Sequence, residues 1–155
     1  MSPKTSKGSA AFAAEMAAIK AEKRAAWDLG RLERVRRICM EYPGVVEVEQ
    51  FGEPWWKVGK KPFASYGAEN VRDGMAFNVT LMDQSQLLED PRFERTHYIG
   101  QHGWTTMVFG KKVDWAEVEE LVDIAYRKVA PKRLTATLDL RPPEERATVD
   151  TVARR

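Results

Sequence analysis

The chain has one cysteine, Cys39, among 155 residues. It therefore has no internal disulfide and no cysteine-based zinc cluster, and a reducing cytoplasm is the expected compartment. Histidine is almost as scarce. His97 and His102 lie five apart beside glycines, whereas helical zinc sites pair histidines at four-residue spacing with an acid nearby. No apolar run approaches the roughly 20 residues of a membrane helix. Met1 to Ala14 lacks the charged start and long apolar block of a secretory leader. Phosphate loop, nucleophile elbow and dinucleotide fingerprint are all missing. These absences lead to the expectation of a protein that is not an enzyme, with no catalytic residues, metal, cofactor or membrane association. Net charge is small as well, 25 basic against 23 acidic residues, or +2.

What is present is the composition of a globular protein, 43% hydrophobic and 31% charged, on a length that suits one domain with extensions. The charge is unevenly spread. Residues 1–37 hold nine Lys/Arg and four Asp/Glu, which leaves 16 basic and 19 acidic residues for the rest. A basic arm on a slightly acidic body argues against strong non-specific nucleic-acid binding, which grows with the number of phosphate contacts.

Residues 1–8 are small, polar and basic and are expected to be disordered. Ser9 to Trp27 is rich in Ala, Glu and Lys and reads as a helix with too thin an apolar stripe to dock firmly. After Asp28, Leu32, Val35, Ile38, Cys39 and Tyr42 recur at helical spacing up to Pro43-Gly44. Cys39 reads as packing on that face. Strands follow at Val45–Phe51, Pro54–Val58 and Phe63–Tyr66. Ala68–Gly74 reads as a loop with an Asp-Gly turn. Met75–Met82 alternates as a strand. A short helix over Asp83–Glu89, capped by Asp83, then a strand over Trp104–Phe109 complete the middle. The last helix starts at an Asp114/Glu117 capping box and carries Trp115, Val118, Leu121, Val122, Ala125 and Val129 on one stripe.

Short links between strands favour antiparallel pairing. The expected fold class is α+β: a two-layer sandwich of one antiparallel sheet with helices on one face and the other face partly open. Its domain spans 28–133, between an N-terminal extension (1–27) and a C-terminal tail (134–155). Met75, Phe77, Val79, Leu81, Val108, Val118, Leu121, Val122 and Leu32 are expected to share the core.

Phe51 to Ala64 concentrates two adjacent tryptophans, three lysines and two glycines. In a strand, neighbouring side chains point to opposite faces, so one of Trp55 and Trp56 enters the core and the other faces out. Lys57, Lys60 and Lys61 flank the Gly59 turn, and at least two of them are expected to be exposed on a protruding edge.

An ordered set of short motifs runs through this region: Pro43-Gly44-Val45, Phe51-Gly52-x-Pro54, Lys57-Val58-Gly59-Lys60-Lys61-Pro62-Phe63-Ala64, Tyr98-Ile99-Gly100, Gly103-Trp104 and a helical Ala125-Tyr126. Over roughly Leu32 to Arg133 the chain thereby resembles the MmcQ/YjbR family of small bacterial proteins. The resemblance implies a compact α+β fold of secretion-chaperone-like architecture and DNA binding on a proposed winged surface. It implies no catalytic residue set.

The nucleic-acid candidates are accordingly Lys57, Lys60 and Lys61 with Trp55 or Trp56 as a base-stacking ring, and Lys111 and Lys112 at a second turn. Arg127, Lys128, Lys132 and Arg133 form a third basic patch. The competing expectation is a module that binds a protein partner, a second copy or a small ligand on an aromatic sheet face made by Trp55, Trp56, Tyr66, Tyr98 and Trp104.

Overall fold

Asp28 caps the helix that begins at Leu29. Its carboxylate accepts from the Gly30 and Arg31 amides at 3.0 and 3.1 Å, satisfying donors that a helix start leaves open. The computed structural model describes residues 3–25, 27–68 and 72–140. Its helices are α1 (Pro3–Ala25), α2 (Leu29–Met40), α3 (Leu81–Leu87), α4 (Trp115–Val129) and α5 (Lys132–Asp139). Its strands are β1 (Val45–Gln50), β2 (Glu53–Val58), β3 (Lys61–Ala68), β4 (Arg72–Asn78), β5 (Phe93–Arg95) and β6 (Trp104–Val108). They form one antiparallel sheet in the order β1-β2-β3-β4-β6-β5. The α+β expectation holds. Among the described residues no helix is long and apolar enough to cross a membrane.

The hydrophobic pattern explains the layering. Trp56, Tyr66, Met75, Phe77 and Met107 project to one face, and with Leu32, Val35 and Cys39 of α2 and Val118, Leu121, Val122, Ala125 and Tyr126 of α4 they form the main core. Cys39 is fully buried there, and burial pushes its thiol well up, so it packs as expected. A register shift between Trp56 and Lys57 leaves Phe63 as an extra residue in β3. Its ring meets Tyr126 edge-on at 5.6 Å. Both hairpins of β1–β3 use two-residue loops with positive φ at each position, Phe51-Gly52 and Gly59-Lys60, as type I′ turns require.

The tryptophan pair splits as strand geometry demands. Trp56 enters the core and donates its indole N–H to Glu47 at 2.9 Å. Arg36 holds the same carboxylate bidentately at 2.7 and 3.1 Å. Trp55 lies on the opposite face, where its ring meets Trp104 at 5.3 Å. Three strand spacings, roughly 14 Å, separate β2 from β6, so the two indoles lean toward each other across β3 and β4. The residues between them on that face are small, Ser65 and Ala76, and only 4% and 5% exposed. The face expected to be partly open is therefore covered at its centre.

Several expectations are corrected. α1 begins at Pro3, so residues 3–8 are helical; proline at a first helical position is preorganised for it. Residues 1 and 2 lie outside the described residues. Trp27 is buried against Gly67 and meets Tyr66 edge-on at 5.8 Å, so core packing starts before residue 28. Asp73-Gly74 is no turn but lies inside β4, because Asp73 is drawn in by hydrogen bonds from Tyr66 and Arg31. The Met75–Met82 alternation stops at Asn78. Thr80, not Asp83, caps α3 by accepting from the Asp83 amide at 3.1 Å. Leu81 is consequently 58% exposed instead of core, and Val108 sits half-buried on the roofed face. The other expected core residues are buried. The boundary expected at 133 falls inside α5, whose Leu138 is buried. Residues 141–155 lie outside the described residues.

Candidate nucleic-acid interface

Strand register decides which loops are neighbours. Val58 pairs with Lys61, Ala64 with Phe77 and Asn78 with Trp104. The Gly59-Lys60 turn, the β4–α3 junction at Val79-Thr80 and the β5–β6 loop (96–103) therefore lie at one end of the sheet. The α4–α5 junction joins them: a Cβ added at Gly59 would meet the Pro131 ring at 3.5 Å, and one at Gly44 would meet Leu134 at 2.9 Å. Lys60 and Lys61 of the turn thus sit beside Lys132 and Arg133, which open α5 with no acid in its first turn. All four are exposed.

Lys128 ties this end together. Its ammonium donates to Asn78 Oδ1 at 2.5 Å, to the Val79 carbonyl at 2.8 Å and to the His102 carbonyl at 3.4 Å. The Asn78 amide donates in turn to the Pro62 carbonyl at 3.2 Å. Partial burial among these neutral acceptors lowers the Lys128 pKa. Lys128 is a clamp, and Arg127 is paired with Asp123 and Asp139. Of the third patch, only Lys132 and Arg133 remain for an outside ligand.

The cations divide into paired and unpaired sets. Arg31, Arg36, Arg92 and Arg127 each form an ion pair with a carboxylate. Lys57, Lys60, Lys61, Lys132 and Arg133 have no such partner among the described residues. Unpaired exposed cations at the start of a helix add to the positive end of its dipole, and Lys132 and Arg133 take that position in α5.

The structure divides the sequence candidates. Lys60 and Lys61 are exposed together as expected, but they project from the end of the sheet, between its second and third strands, not from an edge. Lys57 and Trp55 share the roofed face two residues apart. Trp55 is half-buried, with its indole N–H given to the Gln50 carbonyl at 3.1 Å. Trp56 is buried and cannot stack on a base. Lys111 and Lys112 follow β6 at the opposite end, where Arg31 donates to the Gly110 and Lys111 carbonyls. The eight-residue β3 spans about 26 Å between those ends, so the two lysine pairs do not form one patch. The aromatic set also separates: Trp56 and Tyr66 belong to the main core, Trp104 is 6% exposed, and only Tyr98 stands free at 86%.

Sequence reasoning missed the Asp73 hub, which accepts from Tyr66, Arg31 and the Asp28 amide, because a lone Asp-Gly carries a turn signal. It also kept Lys132 and Arg133 apart from the turn, and nothing local to either segment signals the Gly59–Pro131 approach.

A cleft of about 600 Å³ opens where α1 and α2 meet the sheet, lined by Ala21, Trp27, Leu32, Arg36, Glu47 and Glu49, among others. The buried indole N–H of Trp27 has no hydrogen-bond partner among the described residues.

Compared with known proteins, residues 40–128 match the family model described as YjbR, which is more than half of the chain. No curated protein matches it.

Proposed function

This chain belongs to the YjbR family, and on that premise we propose that it is a non-enzymatic DNA-binding protein whose phosphate-contacting surface is the basic end of the sheet. One observation carries the reading. Lys60, Lys61, Lys132 and Arg133 converge there, exposed and without carboxylate partners among the described residues, while the body's paired arginines are neutralised internally. Phosphates are the ligands that such a set of free cations attracts most strongly, through release of condensed counterions. The non-enzymatic part is supported by the burial of Cys39, which keeps its thiol protonated and out of reach. The competing aromatic-face reading loses support because Trp56 and Tyr66 project to the other side of the sheet from Trp55.

The test is a titration of the whole protein against single- and double-stranded DNA at two salt concentrations. Log affinity is expected to fall linearly with log salt. Lys60→Ala/Lys61→Ala is expected to weaken duplexes of every sequence about equally and to reduce the slope by roughly two. An unchanged affinity and slope in this folded double variant ends the assignment.

A further inference from the structure

Among the described large hydrophobic residues Tyr98 is the most exposed. Its side chain is 86% exposed, and its φ is +65°. A bulky residue in the left-handed region is strained, and such strain persists where the surrounding structure over-determines it. Phe51 and Lys60 also have positive φ, but each lies in a two-residue hairpin loop whose geometry demands it. Tyr98 lies in no such loop. The residues around it have structural duties. The Ile99 amide bonds to the His97 carbonyl at 2.8 Å, and the Gly103 amide to the Gly100 carbonyl at 3.1 Å. Gln84 Nε2 grips the Gly100 and Trp104 carbonyls at 2.9 Å each. A Cβ at Gly103 would collide with the Val79 carbonyl. These contacts tie the loop backbone to the body at several points, and the phenol ring lies outside them. His97 buttresses that ring edge-on, centroids 4.2 Å apart.

The position of this ring matters. The β5–β6 loop lies at the same end as the free lysines, because Asn78 pairs with Trp104 and Lys128 bridges Asn78 to the His102 carbonyl. Three strand spacings, roughly 14 Å, separate it from the Gly59-Lys60 turn. An exposed aromatic ring at the same end as unpaired cations is an arrangement that suits single-stranded nucleic acid, with bases stacked on the ring and phosphates on the lysines.

Resting on the DNA-binding reading, we infer that Tyr98 is a base-stacking residue and that the basic end takes an unpaired strand, with Tyr98 in the role expected of Trp55 or Trp56. Paired bases within a duplex keep their faces stacked on each other and offer none to the ring. The ligand is thereby narrowed to single-stranded DNA or the exposed end of a duplex.

The experiment measures fluorescence anisotropy of the full chain with labelled oligothymidylate of roughly 12 nucleotides, inside the range that one small single-strand-binding domain covers. A closed hairpin duplex with no free end is the comparison. Tyr98→Asn removes the ring and suits the backbone, since asparagine tolerates positive φ. It is expected to keep or raise the thermal midpoint and to weaken single-strand binding by roughly 5- to 150-fold. Its salt slope should stay that of the wild type, and Tyr98→Phe should bind normally. Hairpin binding should change by less than about twofold, because it rests on phosphates. Equal losses on both ligands, no loss on either, or a lowered midpoint overturns the stacking role. If Lys60→Ala/Lys61→Ala loses slope while Tyr98→Asn binds normally, the DNA-binding reading stands and stacking fails. If the wild type shows no salt-dependent DNA binding, both fail.

Discussion

Asp73 shows how one side chain fastens three parts of the fold. It accepts from the Tyr66 hydroxyl, from Arg31 at 3.0 Å and from the Asp28 amide at 3.2 Å, so it joins β3 and the start of α2 to β4. Burial first, and then the Asp73 hydrogen bond and charge, push the Tyr66 phenol well above the usual tyrosine range. Tyr42 is raised in the same way, by burial and by Asp123, to which it donates at 3.0 Å. A pKa raised by folding means that the native state holds the proton more tightly than the unfolded chain. The resulting stability is complete below the unfolded phenol pKa of about 10 and is lost as pH rises beyond it. The denaturant midpoint is therefore expected to fall in alkali above about pH 10. Tyr66→Phe and Tyr42→Phe should each flatten that fall, as followed by circular dichroism across the pH range. A midpoint that falls equally in wild type and variants would assign the alkaline loss to other groups.

At the scale of elements, α4 and α1 are opposites. α4 carries a continuous apolar stripe, an Asp114 cap that accepts from the Glu117 amide at 3.2 Å, and basic residues in its last turn. α1 runs for 23 residues, about 35 Å, and offers the body mainly Lys20 against Gly52 and two alanines in the cleft. From Ser9 to Ala18 its side chains are exposed apart from a half-buried Met16. A helix with so little burial depends on alanine's intrinsic propensity. Amide hydrogen exchange over residues 9–18 is expected to be fast, orders of magnitude faster than in the central strands β3 and β4, where exchange is expected to need opening of the whole domain. Equal protection in the two regions would show that α1 is held by contacts of its own.

At the scale of the whole molecule, net charge is a poor guide and placement a better one. A formal +2 conceals an end where Lys60, Lys61, Lys132 and Arg133 lack carboxylate partners among the described residues and a body in which Arg31, Arg36, Arg92 and Arg127 are paired. Lys111 and Lys112 are as exposed as Lys60 and Lys61 but lie a strand-length away. On the proposed DNA-binding reading, Lys132→Ala/Arg133→Ala is expected to lower the salt slope of DNA binding by roughly two, while Lys111→Ala/Lys112→Ala leaves it unchanged. Equal effects of the two pairs would show that the ligand does not select the basic end.

The sequence by itself determined the α+β class, most of the elements and the buried face of α2, α4 and the first half of β4, but not α5, the end of β4 or the side that Leu81 takes. Strand alternation in Met75–Phe77, helical spacing in Leu32–Cys39 and Val118–Ala125, and the glycine-bearing turns are local signals, because backbone period and turn sterics act within a few residues. It also determined that adjacent tryptophans must part. Which one enters the core depended on register: Trp56 faces Glu47 and Arg36, whereas Trp55 faces Ser65 across the pair. Only the tertiary structure placed Lys132 and Arg133 beside the turn, put Lys111 and Lys112 at the far end, and left Tyr98 outside while Trp104 was roofed. Those outcomes follow from contacts between residues dozens of positions apart, such as Gly59 with Pro131 and Asn78 with Lys128. Such contacts depend on how the sheet twists and where the helices cross it, and no local pattern of residue types encodes either.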